Sequence, residues 1–177
     1  AQCETFIAAA VTAALVIVAR ARAEDAVRPM IIAGVLLGVA TAFKYNAVVY
    51  LGVASAGLWL RGSLARSNVI AALVGFAAPL AIVTAWFAVR GGLDDLYQAT
   101  IVYNMKYSGE TYAGPLHALT YLLTFPVRHA RVDALWPVGG AGCAFPLAAS
   151  VQNRVRLFPV VWVAAACASI AINGSRD

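Results

Sequence analysis

The chain has 177 residues, 62% of them hydrophobic and only 12% charged, against roughly a quarter charged in an ordinary soluble domain. A globule of this size has too little interior to hide so many Ala, Val, Leu and Ile side chains, so the composition excludes an ordinary soluble domain and predicts a membrane protein. The 13 Lys+Arg against 8 Asp+Glu give +5, yet these cations fall one to three at a time between apolar runs, as loop anchors do, and nucleic-acid binding is not expected.

Apolar runs occupy residues 5–19, 30–43, 45–60, 68–89, 114–127, 134–150 and 157–173, which predicts an all-α, polytopic transmembrane helical bundle. In the second run Gly34 and Gly38 form a GxxxG spacing that lets another helix approach closely, a packing feature. Taken as one helix, residues 30–60 would rise about 46 Å, well beyond a hydrocarbon core of about 30 Å. Lys44-Tyr45-Asn46 is the only polar place at which it could break, by a tight helical hairpin or by a steep broken helix. Loop charge favours the hairpin. Arg20, Arg22 and Arg28 put the first connection inside, as short cytoplasmic loops collect cations. A hairpin then puts Lys44 outside and Arg61 and Arg66 inside. The loop after Val89, with Arg90 and Lys106 against Asp94, Asp95 and Glu110, falls outside.

The same count makes 114–127 a non-spanning segment, because a full crossing there would carry Arg154 and Arg156 to the outer side. Pro115, His117, Thr120, Thr124 and Pro126 make it the most polar of the runs, so an interfacial or re-entrant helix is expected. The expectation is therefore about six crossings in a single transmembrane domain fragment over 1–177, both ends outside, with 90–133 as an outer-face loop. The chain reads as a segment of a longer protein without a signal peptide. Cys3, Cys143 and Cys167 have no CxxC spacing and read as small apolar residues. Gly139, Gly140 and Gly142, beside Pro137 and Pro146, loosen the next crossing as a kink would.

Lys44 is the sole charge among the 32 residues from Pro29 to Leu60. An ammonium near hydrocarbon costs roughly 2.5–3.5 kcal/mol even on the lenient insertion scale, so it needs a partner. At an outer membrane surface that partner is an anion such as a lipid phosphate, with the Tyr45 hydroxyl and Asn46 amide beside it; a snorkelling lysine that marks a turn reads equally well. Glu4 opens the first run on the same expected side, either facing Lys44 or serving as a helix N-terminal acid. The stretch 93–112 alternates Asp94, Asp95, Asn104, Lys106 and Glu110 with Tyr97, Tyr103, Tyr107 and Tyr112. Leu93, Leu96, Thr100, Tyr103 and Tyr107 recur at three- and four-residue spacing, which predicts an amphipathic helix lying on the membrane. Aromatic rings with carboxylates and amides suit a sugar site, and an interfacial tyrosine belt has the same sequence. No His/Asp/Glu cluster has metal-ligand spacing.

The string Glu4-Thr5-Phe6, followed by Arg28-Pro29-Met30-Ile31-Ile32-Ala33-Gly34-Val35-Leu36-Leu37-Gly38-Val39-Ala40-Thr41-Ala42-Phe43-Lys44-Tyr45, resembles a stretch of bacterial GT-C class membrane glycosyltransferases. These are the dolichyl-phosphate-mannose protein mannosyltransferase-like and aminoarabinose-transferase-like enzymes of the glycosyltransferase family 39 type. Asp95-Leu96 to Tyr103-Asn104 and Tyr107 resemble the loop after their next span. The resemblance implies a multi-pass enzyme of the cytoplasmic membrane that takes a sugar from a polyprenyl-phosphate donor and gives it to a lipid, glycan or protein acceptor on the outer face. It places Lys44 on the lysine near the donor phosphate and Glu4 on the acid opening the preceding helix. The family's general base, an acid in the first outer loop, would precede Ala1, and Asp94 and Asp95 are not that pair by position. The implied chemistry is displacement at an anomeric carbon with phosphate leaving, which needs a base for the acceptor and a cation for the phosphate. No cofactor is implied with certainty, and use of a divalent metal is left open.

Two other classes fit the same residues. In a transporter or lipid flippase, Lys44 and Glu4 would be an intramembrane charge pair and the broken helix a hinge, although no internal repeat relates the two halves. In a membrane scaffold, Gly34 and Gly38 would serve association.

Overall fold

The computed structural model describes residues 3–21, 26–103, 120, 124 and 157–173. These residues are all-helical apart from short connections, with no strand among them. The chain divides into two compact units, Ala1–Val102 and Tyr103–Asp177. In the first, α1 (Cys3–Arg20), α2 (Val27–Phe43), a 3-10 turn (Tyr45–Val48), α3 (Val49–Leu60), α4 (Arg66–Val89), α5 (Leu93–Tyr97) and a π turn (Gln98–Val102) come in order. In the second, α6 (Phe158–Asn173) coincides with the last expected run. Pro159 stands in its first turn, where a missing N–H costs no helical bond.

Local chemistry accounts for the ends of these helices. Pro29 lies in the first turn of α2, where backbone N–H groups have no intrahelical acceptor. α3 and α4 close identically. Gly62 (φ 68°) and Gly91 (φ 70°) take the left-handed conformation that glycine reaches without a Cβ clash. Gly62 N–H donates to Trp59 C=O (3.0 Å) and Ser63 N–H to Leu58 C=O (2.9 Å), while Gly91 donates to Ala88 (3.1 Å) and Gly92 to Phe87 (2.9 Å). Both pairs are the double closure that satisfies the last carbonyls of a helix.

The helices lie in the order α3, α1, α2, α4, each packed on the next. α1 buries Val11, Ala14, Leu15 and Val18, a stripe at helical spacing. α2 is buried on more than one face, at Met30, Ala33, Gly34, Leu37, Gly38 and Ala40. Its glycines meet α4 at backbone distance. A Cβ on Gly34 would collide with the Ala72 carbonyl oxygen and lie 2.8 Å from the Phe76 nitrogen; one on Gly38 would collide with the Phe76 carbonyl oxygen and lie 2.6 Å from Pro79 Cγ. On α4, a Cβ on Gly75 would collide with the Ile31 carbonyl oxygen. The GxxxG is thus a packing surface within the chain.

These contacts also give direction. Ile31 meets Gly75, Gly34 meets Ala72 and Phe76, and Gly38 meets Phe76 and Pro79, so residue numbers rise together and α2 and α4 run parallel. The chain must therefore turn back between them, and Arg61 shows where it returns. Its guanidinium donates to the carbonyls of Ala19 and Ala21 at the end of α1, beside the start of α2. A straight helix over 30–60 would hold Arg61 about 45 Å away from that point. The turn at Lys44 is therefore a reversal, as loop charge predicts, but its legs are splayed. α2 is occupied by α1 and α4, so α3 leans on α1.

α4 is the one described helix long and apolar enough to cross a membrane. Only 17% of its most apolar stretch is buried, the reverse of a helix wrapped in a globular core. The apolar helical stretches Phe6–Arg20, Val27–Phe43 and Tyr45–Leu60 are shorter. Of the expected non-spanning segment, Thr120 and Thr124 are described: both are helical, and the Thr124 hydroxyl donates to Thr120 C=O (2.8 Å). The run at 134–150 and the cluster Arg128, His129, Arg131 and Asp133 lie outside the described residues.

Candidate functional site

The break between α2 and α3 is where the structure concentrates polarity away from the loops. α2 ends when Lys44 adopts an extended backbone (φ −153°, ψ 115°). Its N–H still donates to Ala40 C=O (3.0 Å), and its own C=O accepts from Ala47 N–H (3.0 Å), so the main chain stays satisfied through the reversal. Lys44 and Tyr45 are half-buried, whereas Asn46 is only 7% exposed and Ala47 1%. Lys44, Asn46 and the half-buried Tyr50, one turn further on, each engage a partner, as groups drawn partly out of water require.

Glu4 lies in the first turn of α1. Because α1 ends beside Arg61, its beginning shares the other end of the helix row with Lys44. α4, parallel to α2, also finishes at that end, and the acid pair comes directly after it: Asp94 and Asp95 stand exposed in the first turn of α5, favoured by the helix dipole. Lys44, Tyr45, Asn46 and the α1 start carrying Glu4 thus lie toward the same end of the first unit as α5 with Asp94 and Asp95, and α5 packs on α4. Tyr103, in the second unit, is helical and 63% exposed. Asn104 and Tyr107 lie outside the described residues.

Of the expected amphipathic helix over 93–112, residues 93–103 are described, and they are helical but not uniformly so. The π turn at Gln98–Val102 takes more residues per turn than an α-helix, so Tyr103 is rotated out of the spacing that Leu93, Leu96 and Thr100 begin. The Thr100 hydroxyl donates to Leu96 C=O (2.6 Å).

The opposite end holds what sequence reasoning missed. Arg61, assigned there to a loop, closes the end of α1 by donating to Ala19 C=O in its last turn and to Ala21 C=O just beyond it. Asn68, 3% exposed, donates from Nδ2 to Ser63 C=O (3.0 Å) and pins the 61–65 connection to α4. At the Lys44 end, the Arg90 guanidinium lies 4.6 Å from the centroid of the Trp86 ring. That contact joins residues four apart on a helix, a spacing at which neighbours meet and which the sequence displays.

Among the described residues, no group of three or more His, Cys, Asp or Glu comes together as a metal would require. No known family's pattern, no curated protein and no solved structure matches the chain.

Proposed function

We propose that the chain belongs to a multi-pass enzyme of the cytoplasmic membrane that transfers a sugar from a polyprenyl-phosphate donor to a lipid, glycan or protein acceptor at the outer face, in the manner of GT-C glycosyltransferases. The observation that carries the reading is the reversal at Lys44. It sets the one cation of residues 29–60 at the end of the helix row where α4 delivers Asp94 and Asp95. In this reading α1 to α4 cross the bilayer alternately, Arg61 and Arg66 stay on the cytoplasmic side, and the Lys44 end faces outward.

Lys44 then receives the donor phosphate, and its ammonium stabilises the charge that develops on the leaving oxygen as the anomeric bond breaks. Tyr45 and Asn46 border that position, Glu4 opens α1 near it, and Asp94, Asp95, Tyr103, Asn104 and Tyr107 belong to the loop that meets the acceptor or the sugar. No described acid is assigned as the general base.

The test is transfer of labelled sugar from polyprenyl-phosphate in membranes carrying the intact protein. Lys44→Ala is expected to lower turnover by at least about a hundredfold, the scale of losing one charge-stabilising donor, with expression unchanged and partial recovery in Lys44→Arg. Undiminished turnover in Lys44→Ala would remove the lysine from the mechanism. Movement of lipid across the membrane without sugar transfer would favour a flippase instead.

A further inference from the structure

The C-terminal half of α4 is an apolar surface that the described residues leave largely exposed. Ala71, Ala72 and Gly75, in the N-terminal half, are buried. Beyond Phe76 no residue of the helix is: Ile82 is 70% exposed, Trp86 61% and Val89 88%. No charge occurs between Arg66 and Arg90, and α4 ends with Arg90 stacked on Trp86. We propose that this half of α4 lies directly against phospholipid, and that Trp86 and Arg90 form an anchor in which the ring sits at the acyl boundary and the guanidinium takes a lipid phosphate. The inference rests on the membrane reading above and adds which surface meets lipid and what sets its depth.

The argument for an anchor is one of length. The 24 residues of α4 rise about 36 Å against a core of about 30 Å. The excess is about one turn, so apolar length alone leaves the helix end, beyond the contacts of Phe76 and Pro79 with Gly38, free to shift or tilt by that much. At its start α4 is held by protein, through Asn68 on Ser63 and Gly75 on Ile31. At its end, among the described residues, only the indole and guanidinium combine an apolar face with a group for the headgroup region. Arginine suits that position because its planar cation stacks on the ring and still offers edge N–H donors to a phosphate. Stacking also restrains the side chain, so the charge is presented at a defined height.

The experiment is thiol labelling with a membrane-impermeant reagent. The intact protein, cleared of native cysteines, is placed in vesicles of phosphatidylcholine and phosphatidylglycerol, with single cysteines at Val89, Gly92 and Leu93 and a control at Leu64. In the parent, Leu93→Cys and Gly92→Cys are expected to label and Val89→Cys to be protected. Adding Arg90→Ala should move that boundary about one turn along the chain, so that Leu93→Cys loses most of its labelling. Trp86→Ala should shift it less, and Arg90→Lys should hold it partly. A boundary unmoved in both Arg90→Ala and Trp86→Ala overturns the anchor while leaving the membrane reading intact. Labelling of Val89→Cys as fast as Leu93→Cys in the parent, or of Leu64→Cys from the same side as Leu93→Cys, overturns the membrane reading itself.

Discussion

Arg61 illustrates how much a single residue's role depends on its partner. In sequence it is a loop cation, and in the structure it completes a helix 40 residues earlier by donating to Ala19 and Ala21. The site suits a cation twice over, since the last carbonyls of α1 are unsatisfied acceptors and carry the negative end of the helix dipole. Charged hydrogen bonds contribute about 1.5–3 kcal/mol where well formed, and partial solvent access at Arg61 reduces that. Arg61→Ala is accordingly expected to destabilise the protein by about 1–2 kcal/mol, read as an earlier midpoint in thermal unfolding in detergent. Arg61→Lys should recover only part of the loss, because a point charge cannot span two carbonyls as the guanidinium fork does. Hydroxyls obey a simpler rule. Thr41 donates to Leu37 C=O (2.8 Å) and Ser55 to Leu51 C=O (3.0 Å), each bonding back to its own helix.

At the scale of elements, the joint between α2 and α4 carries the close packing. Gly34, Gly38 and Gly75 bring two backbones together so tightly that a methyl group has no space, and the gain is dispersion contact along both helices. Gly34→Ala should force the helices apart and destabilise by about 1–3 kcal/mol, the usual scale of overpacking. Gly52, inside α3, has nothing within 4 Å of the position a Cβ would take, so Gly52→Ala should be neutral or stabilising by up to about 1 kcal/mol through helix propensity. Equal destabilisation by the two substitutions, measured by thermal unfolding, would show that propensity, and not the α2–α4 joint, sets the response. Both glycines look alike in sequence. They are separated by the neighbouring helix, which a spacing of four residues suggests for Gly34 and Gly38 and which no local pattern assigns to Gly75.

For the whole first unit, the decisive property is direction. α2 and α4 are parallel and the chain returns from one to the other along α3, beside α1, so the Lys44 and Arg61 ends are opposite. A cysteine at Phe43, 58% exposed, should therefore label from the opposite side of a sealed membrane to one at Leu64, 47% exposed. Labelling of both from one side would contradict the reversal. Ser63 is unsuitable for this purpose, since at 7% exposure a cysteine there would be protected from either side.

Much of this architecture is legible without coordinates. The runs at 5–19, 30–43, 45–60 and 68–89 correspond to α1 to α4 within a few residues, because apolar content, helix-ending glycines and a break at Lys44 act over a turn or two of chain. Charge in the connections is enough to choose a reversal at Lys44. The candidate site is legible in part: Lys44, Tyr45 and Asn46 stand out as polarity within an apolar stretch, and Asp94 and Asp95 as a pair after a helix. Tertiary structure decides which helix lies beside which, that α3 rests on α1 instead of α2, that Arg61 caps α1 and that Gly75 receives Ile31. These pairings join residues far apart in the chain. Apolar helices offer many nearly equivalent faces, and only the fit of whole surfaces, set here by three glycines and one guanidinium, selects among them.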